Sequence, residues 1–376
     1  MSTEGRARAW IEIEGASLRR NAERIRNAVG QGPDLIPMVK ADAYGLGAGP
    51  VVRALEPLDP WGYGVATVEE GRAIRALGIE RPVLVFSPTP SESVGAAVRE
   101  DLTLTLSDLD TLGVVREAAE RWSRAPAFHV EIDTGMGRSG FDWREARTWG
   151  KSLLARAGRE RWTGCFTHFH SADVEDVESV RMQWRRFQDA LAALPVSAES
   201  MKIHACNSAA ALRTPEYAAD AVRPGIFLYG GTAGQALPEP ERVVSVRARV
   251  VLVRDMVPGS TTGYGATHRA GGLERWATVA IGYGDGLPRA LSNRGSALVH
   301  GRRVPVIGRI SMDMTVVDIT DVPEVAPGDV VTFVGSDGGK RISLEEVADL
   351  AGTIHYEILT GFTPRLPRVW LDQEGA

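Results

Sequence analysis

Cysteine is nearly absent: Cys165 and Cys206 are the only two in 376 residues. Two thiols without close metal-type spacing build neither a disulfide framework nor a zinc site in a chain this long. Both read as reduced core residues. An excess of one charge is missing too, since 43 Lys and Arg against 48 Asp and Glu leave a formal charge of −5. With no basic surplus, nucleic acid is a poor partner. No apolar run approaches the roughly 18 residues of a membrane helix. The opening MSTEGRARAWIEIEG has charges where a signal peptide needs an apolar core. These absences lead us to expect a cytoplasmic protein with neither a membrane nor a nucleic-acid partner. Low-complexity tracts and short repeats are lacking as well. No GxGxxG follows a first strand, which weakens a doubly wound dinucleotide-type sheet. What remains is ordinary globular material, 44% hydrophobic and 24% charged, enough for a large core.

Strand-like runs alternate with helical stretches over the first 240 residues. The strand candidates are LIPMVK (35–40), WGYGVAT (61–67), PVLVFS (82–87), LTLTLS (102–107), AFHVEID (127–133), WTGCFTHF (162–169), SMKIHACN (200–207) and AVRPGIF (221–227). Several are near-continuous apolar runs, as strands buried on both faces are. Helices are expected over 68–78, ending at Gly78, and over 107–122, capped by Ser107 or Asp108. A third spans 174–194, where Val180, Trp184, Phe187 and Leu191 fall at helical spacing and read as core packing. Eight such units fit an α/β fold, an N-terminal (β/α)8 TIM barrel over 12–240. After residue 241 the texture becomes β-rich, punctuated by PG, HG and GD turns. A mostly β C-terminal domain is expected at 241–376, with residues 1–11 pairing with it. One helix, 343–352, interrupts it, opened by a Ser343/Glu346 capping box and closed by Gly352.

Barrel active sites form where strands end. The polar residues gather there: Lys40, Asp133 to Arg138, His168 and His170, Asn207 and Ser208, Arg223 and Gly225. Each has a plain alternative. A lysine after an apolar run is usually a solvated strand end, a histidine a bonded core residue, an arginine half of an ion pair, a glycine a turn. A desolvated lysine at a barrel mouth, however, becomes a nucleophilic amine. Glycines beside Ser208 and Tyr44 can open backbone N–H groups to a phosphate. Their coincidence at successive strand ends favours a site.

The motifs VKADAYGLG (39–47), IDTGMGRSG (132–140), THFHSAD (167–173), HACNSAA (204–210), VRPGIFLYG (222–230), GYGATHRA (263–270), IGYGDGLPR (281–289), GRISMDM (308–314) and GTIHYEI (352–358) resemble those of alanine racemases, in the family's order. The resemblance implies a pyridoxal-phosphate-binding barrel, a C-terminal β domain and a homodimer with shared active sites acting on a small amino acid. It implies interconversion of L- and D-alanine, with D-alanine going to peptidoglycan. Lys40 resembles the lysine that forms the internal aldimine and serves as one base. Tyr264 resembles the opposing base, from the partner subunit. Arg223 resembles the arginine facing the pyridine nitrogen. A guanidinium there hardly gives up its proton, so the nitrogen stays unprotonated. Tyr44, Ser208, Gly225, Ile226 and Tyr356 resemble the phosphate cradle, with Asn207 beside it. His168 resembles the histidine that stacks by the ring and bonds Arg223. Arg138 resembles the arginine near the cofactor's phenolic oxygen and the substrate carboxylate, and Met312 the partner residue that places substrate. Asp173, Tyr283, Arg289 and Arg309 resemble the access corridor. No metal is implied.

Two departures stand out. Many members carry a CO₂-modified lysine where this chain has Glu131, whose carboxylate is expected to orient Arg138 without CO₂, or else to point elsewhere. His170 replaces a commonly small residue. A serine or broad-specificity racemase on the same scaffold is the alternative, because selectivity among small side chains rests on modest contact energies. A related barrel decarboxylase fits GYGAT less well. A non-catalytic pyridoxal-phosphate carrier would lack the β-rich half.

Overall fold

A computed structural model describes residues 7–157 and 160–371. The first large sheet is parallel, in the order Asp34–Leu35, Ala221–Arg223, Lys202–Asn207, Arg161–Phe166, Ala127–Asp133, Thr103–Leu106, Val83–Val85, Tyr63–Val65. Short Phe141–Asp142 lies beside Ala127–Asp133. An isolated Met38–Gly64 bridge closes the ring. There the Val39 N–H donates to the Gly64 carbonyl at 2.8 Å and the Gly64 N–H to the Pro37 carbonyl at 2.9 Å. The barrel expectation therefore holds. Its strands are mostly buried because helices cover one face and barrel-filling side chains the other.

The first barrel strand is shorter than 35–40. Pro37 has no N–H for a ladder, so Asp34–Leu35 is followed by only the Met38 bridge. Lys40 accordingly stands past the strand, at the start of a turn. The last strand stops at Arg223 before Pro224 for the same reason. Helices form over Val68–Arg75, Leu109–Trp122 and Glu178–Ala193, each narrower than expected. Asp108 caps the second of them by accepting from the Thr111 N–H. The third buries Val180, Gln183, Phe187 and Ala190, while Trp184 and Leu191 are half-buried against the core.

The second sheet is mostly antiparallel. Strands Val330–Asp337, Ser296–Val299, Arg302–Ile307, Thr315–Asp318, Glu274–Val279 and Val244–Met256 pair in that order, and the last pairs back to the first. The N-terminal strand Ala9–Ile13 joins this sheet, antiparallel to Val244–Met256 and parallel to Arg368–Trp370. Residues 1–6 and 372–376 of the expected domain lie outside the described residues. The helix Leu344–Ala351 is capped by Ser343 and ended by Gly352 in the left-handed conformation. A further helix, His355–Gly361, was not expected. It is seven residues long, its N-cap Ile354 offers no polar side chain, and its Thr, Tyr and Ile content suits strands. One continuous apolar core runs through both sheets. Among the described residues no helix is long and apolar enough to cross a membrane, and no group of His, Cys, Asp and Glu is placed to hold a metal.

Candidate active site

The residue after the short first strand sets up the site. Ala41, Asp42, Ala43 and Tyr44 all have φ between 52° and 56°, a left-handed turn closed by Gly45. For L-residues this conformation costs ~1–2 kcal/mol each. Neighbours hold it. Glu70 Oε1 accepts from the Ala41 N–H at 2.7 Å, Asp42 Oδ1 from the Ala48 N–H at 2.7 Å, and Arg368 Nε donates to the Gly45 carbonyl at 2.9 Å. The Tyr44 ring stacks on Tyr229 at 4.5 Å, and Tyr229 Oη donates to the Met38 carbonyl at 2.7 Å. The turn thereby puts Lys40 and Tyr44 on one wall of a cavity of about 680 Å³ at the strand ends.

Facing them are Glu131, Arg138, His168, Asn207, Ser208, Arg223, Gly225, Ile226 and Tyr356. Arg223 is buried and amply bonded. Nη1 reaches His204 Nδ1 at 2.9 Å; Nη2 donates to the Thr167 and Ala205 carbonyls and reaches His168 Nδ1 at 3.2 Å. The guanidinium lies over the rings of Phe86 and Phe166. Since arginine can only donate, both histidines accept at Nδ1 and are neutral with Nε2 protonated. His204 Nε2 then donates to His129 Nδ1 at 2.8 Å. His129 Nε2, at the end of this series, has no hydrogen-bond partner among the described residues.

Burial and positive neighbours set the protonation. Burial pulls Arg223 down to about 10, so it stays charged. Burial and the Arg223 charge hold His168 and His129 down to about 3, and His204 well below its ordinary value. Burial pushes the Tyr356 phenol up to about 12 and Tyr44 higher still, so both remain donors. The Lys40 ammonium is lowered first by desolvation, then by Arg138, against an opposing pull from Glu70, and further by Arg223. Such an amine is easier to deprotonate at neutral pH. Burial raises Glu131, against stabilising bonds and charges from Ser139, Arg138 and others.

Glu131 Oε2 accepts from Ser139 Oγ at 2.6 Å and lies 3.4 Å from Ser107 Oγ. Among the described residues no hydrogen bond or ion pair joins it directly to Arg138, although both line the cavity. Its carboxyl is thus anchored by two hydroxyls in the cavity that Arg138 also lines. Gly225 is required: a Cβ there would lie 2.3 Å from Tyr44 Oη. Its N–H donates to Ser208 Oγ at 2.8 Å, and Asn207 Oδ1 accepts from the Ala210 N–H at 3.0 Å. One end of the cavity therefore offers neutral hydroxyl donors and a bare backbone, suited to a phosphate. The other offers a permanent buried cation, suited to an aromatic nitrogen acceptor. Lys40 stands in the same cavity. The donor set fits pyridoxal phosphate.

The model of the alanine racemase N-terminal domain matches residues 13–233, and that of the C-terminal domain 243–370. Alanine racemase 1 of Oceanobacillus iheyensis is 37% identical over 368 residues, covering 96% of this chain and 97% of its own. Alanine racemase 2 of Bacillus subtilis is 36% identical, covering 96% and 94%. This chain belongs to the alanine racemase family. Among solved structures, the racemase of E. faecalis superposes with a TM-score of 0.91 at 30% identity, over 98% of this chain and all of that one. The Bartonella henselae racemase, solved with covalently bound pyridoxal phosphate, gives 0.88 at 28%, over 97% of this chain and 100% of its own.

Within this family member, the remaining expected residues lie elsewhere. Tyr264 is 69% exposed on the turn after Gly263, and Met312 is 51% exposed. Tyr283, Asp173, Arg289 and Arg309 are exposed as well. None of the six lines the cavity within one chain. His170 is exposed and bonded to Ser171. Sequence reasoning missed Met38, Phe86 and Phe166 as cavity walls. Phe166 was accessible: it ends its strand two residues before His168, and alternate positions of an extended chain point the same way. The roles of His129 and His204 were not legible, because a mid-strand histidine reads as core.

Proposed function

We propose that this protein is a pyridoxal-phosphate-dependent alanine racemase, a homodimer with shared sites, supplying D-alanine for peptidoglycan in the cytoplasm. The observation that carries the reading is the convergence of Lys40, Tyr44, Arg138, His168, Ser208, Arg223, Gly225, Ile226 and Tyr356 on one cavity. When bound, pyridoxal phosphate supplies the electron sink for the pair left by a departing α-proton. Lys40 would hold it covalently. Tyr44, Ser208, Tyr356 and the Gly225 backbone would bind its phosphate. Arg223 would donate to its ring nitrogen, since Nε carries no hydrogen bond among the described residues. His168 would orient that arginine. Arg138, under the Glu131 carboxylate, would hold the substrate carboxylate.

Racemization needs a base on each face of the α-carbon. Lys40 Nζ serves one, its amine made available by burial and nearby arginines. Tyr264 Oη of the partner subunit serves the other. An aromatic ring 69% exposed on a glycine-built turn does no packing for its own chain. Met312 and Tyr283, exposed alongside, would line the partner's site and corridor. Two buried free thiols agree with a reducing compartment.

The test is proton NMR in D₂O with L-alanine and L-serine supplied separately, followed by chiral chromatography. Loss of the α-proton signal with D-alanine appearing is expected, faster than for serine. K40A and Y264F should each lose at least ~10²-fold in rate. Mixing these two inactive variants, with subunit exchange, should restore about a quarter of wild-type activity, since one site in each heterodimer is then intact. No restoration would rule out the shared site.

A further inference from the structure

We propose that Glu70 is a positioning residue: its carboxylate clamps the left-handed turn after Lys40 and so fixes where the Lys40 amine sits in the cavity. The inference rests on the reading above, in which Lys40 carries the cofactor. Glu70 occupies the N3 position of the helix Val68–Arg75. Its local duty is a capping box. Oε2 accepts from the Ala66 N–H at 2.7 Å and the Thr67 N–H at 3.3 Å, while Thr67 Oγ1 accepts from the Glu70 N–H. That duty occupies one oxygen. The other, Oε1, reaches a different element and accepts from the Ala41 N–H at 2.7 Å.

Ala41 follows Lys40 and is the first of the residues with positive φ. The first N–H groups of any helical turn lack internal acceptors, and Glu70 supplies one from a separate helix. L-residues favour the right-handed region, so a turn without its clamp has somewhere to relax. Lys40 leaves the backbone at the hinge of this turn, and relaxation re-aims Nζ. Glu70 is also the negative charge that offsets the repulsion of Lys40 by Arg138 and Arg223. The two oxygens thus couple the second barrel unit's helix to the reactive lysine of the first.

A Glu70 that merely capped its helix would behave like Thr67. The test compares T67A, E70Q and E70D in the full chain. T67A cuts the cap and spares the Ala41 bond. E70D keeps a charge at N3 but is one methylene too short to span both partners, and E70Q replaces one acceptor oxygen by a donor. Three readouts are taken: hydrogen–deuterium exchange of the peptide covering 39–47, the pH midpoint of the visible absorbance of pyridoxal phosphate bound at Lys40, and kcat and KM for alanine. For both Glu70 variants we expect at least tenfold faster exchange in 39–47, a shifted absorbance midpoint, and kcat down at least tenfold with KM within threefold. T67A should lower the melting temperature and leave all three unchanged. Glu70 variants indistinguishable from T67A would overturn the proposal. If wild-type protein formed no absorbing complex at Lys40, the functional reading would fall. The exchange comparison, which needs no cofactor, would then decide the clamp alone.

Discussion

Glu131 stands where the family resemblance leads us to expect a CO₂-modified lysine. A carboxylate arrives on a side chain too short to be a modified lysine, and the structure anchors it on Ser139 and Ser107. It lines the same cavity as Arg138, whose charge favours its ionised form. Replacing it by glutamine keeps the shape and removes the charge. We expect E131Q to raise KM for alanine about fivefold with a smaller change in kcat, a loss of ~1 kcal/mol in ground-state binding. Steady-state kinetics with and without added bicarbonate measure this. An unchanged KM would mean that Arg138 is held by something else. At this scale the sequence was most legible where chemically distinctive residue types recur at successive strand ends. Lysine after a strand, arginine before Pro-Gly and tyrosine in AYG were legible through their coincidence at strand ends and the motifs around them. It was least legible for Phe86, Phe166 and His129, whose types are as common in cores as in sites.

At the scale of elements, short loops with internal locks do the positioning. Asp285, fully buried, accepts from the Gly282 N–H at 3.0 Å and pairs with Arg8 and Arg365. The same loop is bolted to its neighbour: the Tyr283 N–H donates to the Ser311 carbonyl, and the Gly284 N–H to the Met312 carbonyl at 2.8 Å. A Cβ at Gly282 would lie 2.2 Å from the Ser311 oxygen, so the two loops approach as closely as backbones can. One carboxylate therefore steadies both Tyr283 and Met312. We expect D285A to leave the Gly282 N–H unpaired at a cost of ~1–3 kcal/mol, read from the urea midpoint. KM should rise as well, since both loops carry residues proposed for the partner's site. A midpoint shift with unchanged KM would confine Asp285 to stability. Helix existence was legible from periodicity and caps, as at Asp108 and Ser343. Boundaries were not, because prolines and tertiary contacts ended strands earlier than apolar runs did. The helix His355–Gly361 has weak local preference, and packing makes it.

Over the whole molecule, three histidines in the barrel interior link stability to pH. His129 and His168 are held down to about 3, and His204 is also held well below its ordinary value. In the unfolded chain each takes a proton near its reference of ~6.5. The unfolded state therefore binds more protons between those values, and stability falls as pH falls through that window. Each group contributes up to ~1.4 kcal/mol per pH unit. We expect the urea midpoint to be flat above pH 7 and to drop steeply from 6 to 4. A midpoint at pH 5 equal to that at 7.5 would contradict neutral buried histidines.

The alternation of apolar runs and amphipathic stretches determined the barrel, because a parallel strand must be covered on both faces and the connecting helices supply the cover. The change to turn-rich β texture after residue 241 determined the second half in the same way. Motif order determined the family and most cavity residues. Only the tertiary structure decided the left-handed turn at 41–44, the reach of Glu70 to Ala41, the donor chain from Arg223 to His129, and the exposure of Tyr264. Those features depend on atoms far apart in the chain, and a pattern of neighbouring residue types carries no information about which distant partner satisfies a given N–H.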